Sequence, residues 1–399
     1  MPDYVYIDTQ SEFNALCTRL NQPSPNDGDH YIALDTEFMR DKSYYSKLAL
    51  LQICNHDSVT IIDPVALDNM KLLSDLLINP GITKVFHAGT QDIEIFYQLL
   101  GITPQNLFDT QVAATALGMG NQIGYGDLVR QMLGKSLSKS HTRTNWLDRP
   151  LKPGPLEYAA DDVIYLYQLY PLLRKQLQAL DREHWLQDDF DSLANPQQYE
   201  VQFDSLWRRV KGHQRLRGVQ LAILDAVVRW REQIAINKDR PRKFILKDEV
   251  VLDLCRQKPV SIQQCKAIRN FPGKLPDSQV MDLVNAIKDA QNKPPESWPR
   301  LPEFHKLNKQ QEAVADTLMA IMKWAALRNN ISTDTLGTRK DIELLVKAEA
   351  LDQCQSPLLK GWRLENAGRY MLDFLTGKAS LSIKNSRLEW SSTDKNTSG

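Results

Sequence analysis

Three consecutive segments of strand character are joined by connections too short to hold a crossover helix, and this spacing constrains the fold more than any other feature. The segments are residues 31–38 (YIALDTEF), 48–54 (LALLQIC) and 59–63 (VTIID). Strands joined so closely are expected to run antiparallel, because a parallel crossover needs a dozen or more residues and is usually helical. The sequence therefore predicts an antiparallel meander near the N-terminus.

After the meander, segments of helical and strand character alternate. A predicted helix at 69–78 leads to a strand at 82–87, and a helix at 91–100 leads to a short strand near Leu107 and Phe108. Such alternation predicts parallel strands covered by helices. Further helices are predicted at about 110–117, 125–133 and 155–180. The whole resembles the ribonuclease H-like α/β arrangement, a mixed sheet flanked by helices, and no G-x-G-x-x-G follows the first strand to suggest a dinucleotide-binding fold.

The second half of the chain is predicted to be entirely helical from about residue 210. Prolines at 294, 295, 299 and 302 mark a linker that divides it. We therefore predict an α/β domain at 1–205, one helical domain at 206–293 and another at 303–380. The polar segment 381–399 is predicted to be a disordered tail.

Composition places the chain among globular proteins rather than membrane or secreted ones. Hydrophobic residues make up 42% of its 399 residues, and no apolar run is long enough to span a bilayer. The N-terminal residues show no basic region followed by an apolar stretch, so no secretory signal is expected. The five cysteines are far apart and lack metal-ligand spacing, which favours reduced thiols and a cytoplasmic location.

The net charge of zero conceals an asymmetry between the two halves of the chain. Residues 1–195 contain 15 Lys and Arg against 25 Asp and Glu, whereas residues 196–399 contain 34 against 24. One interpretation is a basic partner-binding surface beside an acidic one. The other is two domains of different pI with no shared purpose, and charge alone does not separate them.

Asp35 and Glu37 lie two residues apart in the first predicted strand, so both side chains project from the same face. Two neighbouring carboxylates repel each other and resist burial, and a divalent cation between them removes that cost. The alternative is an edge strand with a solvated acidic face. The apolar residues around the pair make the strand look central and favour the metal.

A second pair, Tyr158 and Asp162, lies four residues apart in LEYAADDVIYLY and hence on one helical face. Asp161 lies one step round the helix and is expected to be solvated. Asp92 follows a predicted strand in the first turn of a helix, where an acidic residue complements the helix dipole. Taken alone, Tyr158 is better explained as a core aromatic and Asp92 as a structural residue.

Together these blocks resemble the tyrosine subclass of the DEDD exonuclease superfamily. The resemblance rests on Asp35-x-Glu37, then Asp92 behind a strand-turn-helix, then Tyr158-x-x-x-Asp162. The surrounding sequence motifs narrow the resemblance to the ribonuclease D family, over about residues 1–380. These motifs are ALDTEF, FHAGTQDIEIF, DTQ and YAADDV. The register from Tyr158 selects Asp162 rather than Asp161 as the ligand.

The resemblance implies a 3′→5′ exoribonuclease in which Asp35, Glu37, Asp92, Tyr158 and Asp162 are catalytic. It assigns the four carboxylates to two divalent ions, with Asp35 bridging them, and gives the Tyr158 hydroxyl the task of orienting the attacking water. Oxygen ligands favour Mg²⁺ or Mn²⁺ over zinc. The expected product is a nucleoside 5′-monophosphate, and the expected substrate is RNA with a free 3′ end, tRNA precursors among them, with no membrane or protein partner evident.

Basic residues outside the acidic site are the candidates for nucleic-acid contacts. In the polar loop at 134–154, arginine suits phosphates and tryptophan offers a stacking face, although Trp146 packed against the core is the alternative. A second basic run spans 207–217 and contains no acidic residue. It is a candidate for phosphate contacts, and the alternative is a solvated charged face. Segment 216–292 resembles an HRDC domain and 305–378 a more divergent copy. The candidates are Lys139, Arg143, Trp146, Arg149, Arg208, Arg209, Lys211, Arg215 and Arg217.

Two other functions remain open on the residues alone. A DNA-directed 3′→5′ exonuclease would use the same carboxylates, because the catalytic blocks do not distinguish the two polymers. A nucleic-acid-binding scaffold with an inactive nuclease fold would be favoured by the loss of any ligand. All five catalytic positions carry the expected residue types, so the sequence favours an active enzyme.

Overall fold

A mixed six-stranded sheet forms the centre of the N-terminal part of the computed structural model, which describes residues 4–23, 29–137, 144–301, 306–348 and 350–392. Its strands are β1 (Tyr4–Ile7), β2 (Tyr31–Met39), β3 (Lys47–Cys54), β4 (Val59–Ile62), β5 (Thr83–Phe86) and β6 (Leu107–Asp109). They lie in the order β1-β4-β3-β2-β5-β6. β3 and β4 pair antiparallel, whereas β5 pairs parallel with β2 and with β6. The predicted ribonuclease H-like α/β fold is therefore confirmed.

Seven helices accompany this sheet in the described residues up to 198. They are α1 (Gln10–Leu20), α2 (Leu72–Ile78), α3 (Thr90–Leu100), α4 (Thr110–Ala116), α5 (Tyr125–Leu133), α6 (Pro153–Ala179) and α7 (Gln187–Ala194). β1 and α1 were not predicted. β1 has only four residues, YVYI, and it pairs in parallel with β4, which lies more than fifty residues further along the chain.

α6 is the helix that carries Tyr158 and Asp162. Proline in its first turn has no N–H to lose there and fixes a helical φ, so Pro153 is suited to start the helix. Ala159, Ala160 and Val163 are buried on its inner side. This burial fixes the rotation of the helix about its axis and so the direction in which its polar face points.

A helical unit comprises residues 199–304 together with residues 38–49. Its helices are α8 (Val219–Asn237), α9 (Arg242–Ile245), α10 (Asp248–Gln257), α11 (Ile262–Lys266) and α12 (Asp277–Asn292). Its core contains Val227, Leu254 and Ile287, all fully buried. Residues 38–49 join this unit because the buried Tyr44 hydroxyl donates to Glu232 and the Tyr44 N–H donates to Asp239 at 2.9 Å.

The C-terminal segment contains α13 (Lys309–Arg328), α14 (Thr333–Leu336), α15 (Arg339–Lys347), α16 (Gly361–Arg363), α17 (Arg369–Leu375), β7 (Ala379–Lys384) and β8 (Arg387–Ser392). β7 and β8 form an antiparallel hairpin. The prediction of a disordered tail from 381 is therefore wrong as far as Ser392, because the ring of Trp390 on β8 packs against Trp324 and Tyr370, with centroids 5.6 and 5.3 Å away. Residues 393–399 lie outside the described part of the chain.

The C-terminal segment belongs to the same compact unit as the sheet, which comprises residues 1–37, 50–198 and 305–399. The indoles of Trp185 and Trp362 stack with ring centroids 4.5 Å apart. Arg182 donates hydrogen bonds to the carbonyls of Ala116 and Asn329. This division differs from the predicted boundaries at 205 and 303. The C-terminal segment makes long-range contacts with the sheet-containing unit, although a proline-rich linker precedes it in the sequence. None of the helices in the described ranges is long and apolar enough to cross a membrane.

Candidate active site

Three carboxylates meet where β2 and α6 lie side by side. Asp35 and Glu37 share one face of β2 as their spacing predicts, and Asp162 approaches from the third turn of α6. One carboxylate oxygen from each residue lies within 4.8 Å of the others. All three side chains remain partly exposed, so the cluster opens to solvent. Asp161, the neighbour of Asp162, is not part of this group.

Asp92 is the fourth predicted ligand, and it lies just outside the group of three. It is buried in the first turn of α3, and the Thr36 hydroxyl donates to its carboxylate at 2.5 Å. The turn before α3 is tight. A Cβ on Gly89 would lie 2.6 Å from Cβ of Phe86, so only glycine fits without a shift of the chain. Asp109, the N-cap of α4, accepts from the N–H of Gly89 at 2.8 Å and fixes this turn.

The pKa values of these four carboxylates are raised, which means that their ionised forms are disfavoured at this site. Burial and the charges of Asp92, Asp162 and Glu37 raise the pKa of Asp35 well above its usual range. Burial, followed by the charges of Asp162 and Asp92, raises the pKa of Glu37 to about 8. Burial also raises the pKa values of Asp92 and Asp162 to about 7. Full ionisation at neutral pH therefore requires a compensating positive charge.

The donor set fits a hard divalent cation. Its ligand atoms are all carboxylate oxygens, and no histidine or cysteine in the described residues belongs to the group. Mg²⁺ and Mn²⁺ prefer such ligands, and a cation among them would remove the repulsion that raises their pKa values. The sequence prediction of a metal-binding acidic cluster is consistent with this geometry.

Two tyrosine hydroxyls contact Asp162. Tyr158, one turn earlier on α6, donates to the Asp162 carboxylate, and this hydrogen bond opposes the rise of its pKa. Tyr125, in the first turn of α5, donates to the backbone carbonyl of Asp162. Sequence reasoning missed Tyr125, as it missed the link between Thr36 and Asp92. Each lies far along the chain from its partner, so neither spacing nor periodicity marks it.

Two predicted RNA contacts in the loop before α6 have structural roles instead. Trp146 is buried, and its ring lies 6.4 Å from that of Tyr158, so no indole face is open to a base. Arg149 forms a two-point ion pair with Asp63, with Nε to Oδ2 at 2.5 Å and Nη2 to Oδ1 at 2.6 Å. These two predictions are corrected because both side chains are already engaged by the fold. Lys139 and Arg143 lie outside the described residues.

The second group of predicted RNA contacts lies in the helical unit and is accessible. Its five members are all exposed and occupy the short turns that precede α8. They are Arg208, Arg209, Lys211, Arg215 and Arg217. Their role in binding RNA stays a prediction.

Comparisons with protein families match both parts of the chain. A family described as "3'-5' exonuclease" matches residues 4–178, and the HRDC domain family matches residues 220–287. The second, C-terminal HRDC-like copy stays a prediction. Ribonuclease D of Sphingobium indicum is 36% identical, over 91% of this chain and 94% of that protein. Ribonuclease D of Zymomonas mobilis is 35% identical, over 98% of each.

Solved structures give the same result. The crystal structure of Escherichia coli RNase D, described as an exoribonuclease involved in structured RNA processing, superposes with a TM-score of 0.80. The two sequences are 27% identical, and the match covers 94% of this chain and 99% of the other. A protein from Bifidobacterium adolescentis superposes with a TM-score of 0.68 at 22% identity, which supports the fold alone.

Proposed function

Because the chain belongs to the ribonuclease D family and is a 3′→5′ exoribonuclease, we propose that it trims the 3′ ends of structured RNAs with two divalent ions at the acidic cluster. The observation that carries the proposed site is the approach of Asp35, Glu37 and Asp162 to within 4.8 Å, with Tyr158 hydrogen-bonded to Asp162. We further propose tRNA precursors as substrates and Mg²⁺ or Mn²⁺ as the ions.

In this mechanism Asp35, Glu37 and Asp162 would hold the ions, and Asp92 would complete the set. When bound, divalent ions would lower the pKa of a water molecule and stabilise the negative charge that develops on the phosphodiester oxygens. The Tyr158 hydroxyl orients the attacking water, because it already points at Asp162. The water oxygen bonds to phosphorus and the bond to the 3′ oxygen breaks. A proton ends on that oxygen, and a nucleoside 5′-monophosphate is released.

Thr36 and Tyr125 act as positioning residues in this proposal. Thr36 restrains the Asp92 carboxylate, and Tyr125 restrains the α6 backbone at Asp162. Neither is proposed to touch substrate. Precise placement of carboxylates matters because catalytic geometry tolerates shifts of only about 0.5 Å.

The decisive experiment follows a tRNA precursor, labelled at its 5′ end, with and without Mg²⁺. We expect stepwise shortening from the 3′ end, release of nucleoside 5′-monophosphates, and loss of activity in EDTA. A circular RNA of similar length should survive. Cleavage of the circle, or a normal rate in EDTA, would overturn the proposal.

We also propose that the basic turns before α8 contact RNA phosphates. Each phosphate contact contributes roughly one unit to the slope of log Kd against log salt. Replacing Arg209 and Lys211 with Gln should therefore make the slope for a tRNA precursor shallower by about two. An unchanged slope would show that these residues form a solvated face and do not contact RNA. It would not affect the proposed chemistry at the acidic cluster.

A further inference from the structure

A groove of about 760 Å³ lies in the helical unit, between the turns that precede α8 and the proline-rich segment that follows α12. Its size falls in the range of roughly 300–1,000 Å³ that is typical of small-ligand sites. Among the residues that line it are Arg208, Arg217, Arg300, Trp298, Pro295 and Pro299. The groove is remote in sequence from every carboxylate of the proposed active site.

The charge of the groove is entirely positive. No lining residue is acidic, and within the described ranges Arg208, Arg217 and Arg300 form no ion pair. Other arginines of the same unit are paired, for example Arg229 with Asp204 and Asp225. Arg217 donates through Nη1 to the carbonyls of Gln214 and Leu216, which holds its guanidinium in place. Guanidinium groups without a carboxylate partner, gathered at one groove, favour an anion with several oxygen acceptors, such as a phosphate.

Backbone geometry adds to the positive potential. Gly218 lines the groove and precedes the 19-residue helix α8, whose N-terminus has no side-chain cap. The N-terminal end of a long helix carries partial positive charge. Gly218 has φ 54° and ψ −130°, a conformation that a residue with a Cβ rarely adopts, so a glycine is needed at this corner.

Trp298 provides a flat aromatic face at the same place. It is half-buried and packs against the core of the unit, and its Nε1 donates to the carbonyl of Lys293 at 3.0 Å. This hydrogen bond fixes the plane of the indole, so little side-chain entropy is lost when a ring stacks on it. An aromatic face beside guanidinium groups is the combination that binds unpaired nucleotides, through base stacking and phosphate contacts.

We propose that this groove binds an unpaired nucleotide of the RNA substrate, with the base against Trp298 and the flanking phosphates at Arg217 and Arg300. The proposal rests on RNA being the substrate. It adds a second RNA site, outside the catalytic cluster, that distinguishes unpaired from paired segments, because a base within a duplex cannot reach the indole.

The test measures binding of the full-length, metal-loaded protein to a fluorescently labelled circular oligouridylate, which has no 3′ end to enter the active site. Arg217→Gln and Arg300→Gln should each weaken binding about 3- to 10-fold and reduce the salt slope by about one. Arg269→Gln is the matched control. This exposed arginine of the same unit does not line the groove, and its variant should bind like wild type.

The stacking role is tested with two substitutions that both preserve packing against the core. Trp298→Leu should weaken binding of the circle about 5- to 10-fold, whereas Trp298→Phe should stay within about 2-fold of wild type. Neither should alter binding to a blunt RNA duplex, and thermal melts of both variants confirm folding.

Three outcomes would overturn the proposal: groove arginine variants that bind like Arg269→Gln, equal effects of Leu and Phe at position 298, or equal losses on the duplex. Turnover of a short linear oligonucleotide serves as the independent readout. If it persists while the groove variants have no effect, the exonuclease proposal stands and the groove proposal fails. If wild type lacks this turnover, the failure lies with the proposed active site.

Discussion

The hydroxyl of Tyr158 donates a hydrogen bond to the carboxylate of Asp162, one turn further along the same helix. The bond lowers the pKa of Asp162 against the larger effect of burial, which raises it to about 7. Tyr158 therefore lowers the pKa of a proposed metal ligand, and in the proposed mechanism its hydroxyl would also orient the attacking water.

Tyr158→Phe should lower kcat by about 10²-fold or more, because the positioned hydroxyl is lost while every carboxylate remains. Affinity for Mn²⁺, measured by calorimetry, should change by less than about 3-fold. Tyr165→Phe is the matched control. It lies two turns further along α6, outside the acidic cluster, and should keep wild-type kcat. A Tyr158→Phe enzyme with normal kcat would remove the tyrosine from the mechanism.

The four carboxylates also affect stability when no metal is bound. Asp35→Asn replaces a carboxyl that is costly to ionise at this site with a neutral amide of almost the same shape. The metal-free variant should therefore melt at or above the wild-type temperature while being inactive. Mn²⁺ should raise the melting temperature of wild type, because it binds only the native site, and should raise that of the variant much less. A variant that melts well below wild type would show that Asp35 has a structural role.

The same repulsion predicts a pH dependence of stability. Unfolded Asp and Glu titrate near pH 4, whereas the folded pKa values are about 7 for Asp92 and Asp162 and about 8 for Glu37. Between these limits the folded protein binds more protons than the unfolded one, so stability falls as pH rises from about 4 to 8. Thermal melts in EDTA should show this decline, and Mn²⁺ should reduce it. Asp68→Asn, an exposed control, should leave the decline unchanged.

The spacing of residues along the sequence predicted the pairs of site residues that lie on the same strand or the same helix. Asp35 and Glu37 share a face because strand side chains alternate, and Tyr158 meets Asp162 because a helix turns every 3.6 residues. Periodicity also predicted β2 to β6 and the helices between them. These features depend on residues close together in the chain.

Long-range partners were not predictable from one sequence. Trp185 stacks on Trp362 across 177 residues, and this contact joins the C-terminal segment to the sheet-containing unit. The sequence around each tryptophan gives no indication that the two residues are in contact. Thr36 and Asp92 are 56 residues apart, and no spacing or periodicity links the two. Such pairings follow from how the whole core packs.

The tryptophan pair predicts that the C-terminal segment stabilises the exonuclease unit. Trp362→Ala should lower the free energy of unfolding by about 3–5 kcal/mol, because it removes a buried aromatic and exposes Trp185. Urea titration followed by circular dichroism measures this change. Leu327→Ala is the matched control, since that side chain is 80% exposed, and it should change stability by less than about 0.5 kcal/mol. Equal melts for both variants would mean that the segment contributes little.

Two roles can be compared for Arg149. The sequence predicts a phosphate contact, whereas the structure shows an ion pair with Asp63. Its carboxylate partner Asp63 is nearly inaccessible and also accepts from the Tyr6 hydroxyl at 2.7 Å. Burial would raise the pKa of Asp63, but hydrogen bonds from Arg149 and Tyr6 outweigh it and hold the pKa below its ordinary value. Arg149→Gln leaves a buried charge uncompensated and should destabilise the protein by about 3–5 kcal/mol.

The pH and salt dependence of Arg149→Gln distinguish the two roles. A depressed carboxyl pKa stabilises the fold above the unfolded value near pH 4, and this contribution is lost as pH falls through the folded value. The deficit of the variant should therefore be full at neutral pH and shrink in acid. Adding Asp63→Asn should recover part of it, because no unpaired charge remains buried. The salt slope of RNA binding should match wild type, since no phosphate contact is lost. A shallower slope with unchanged stability would restore Arg149 as an RNA ligand, because an exposed phosphate contact changes counterion release and leaves the fold alone.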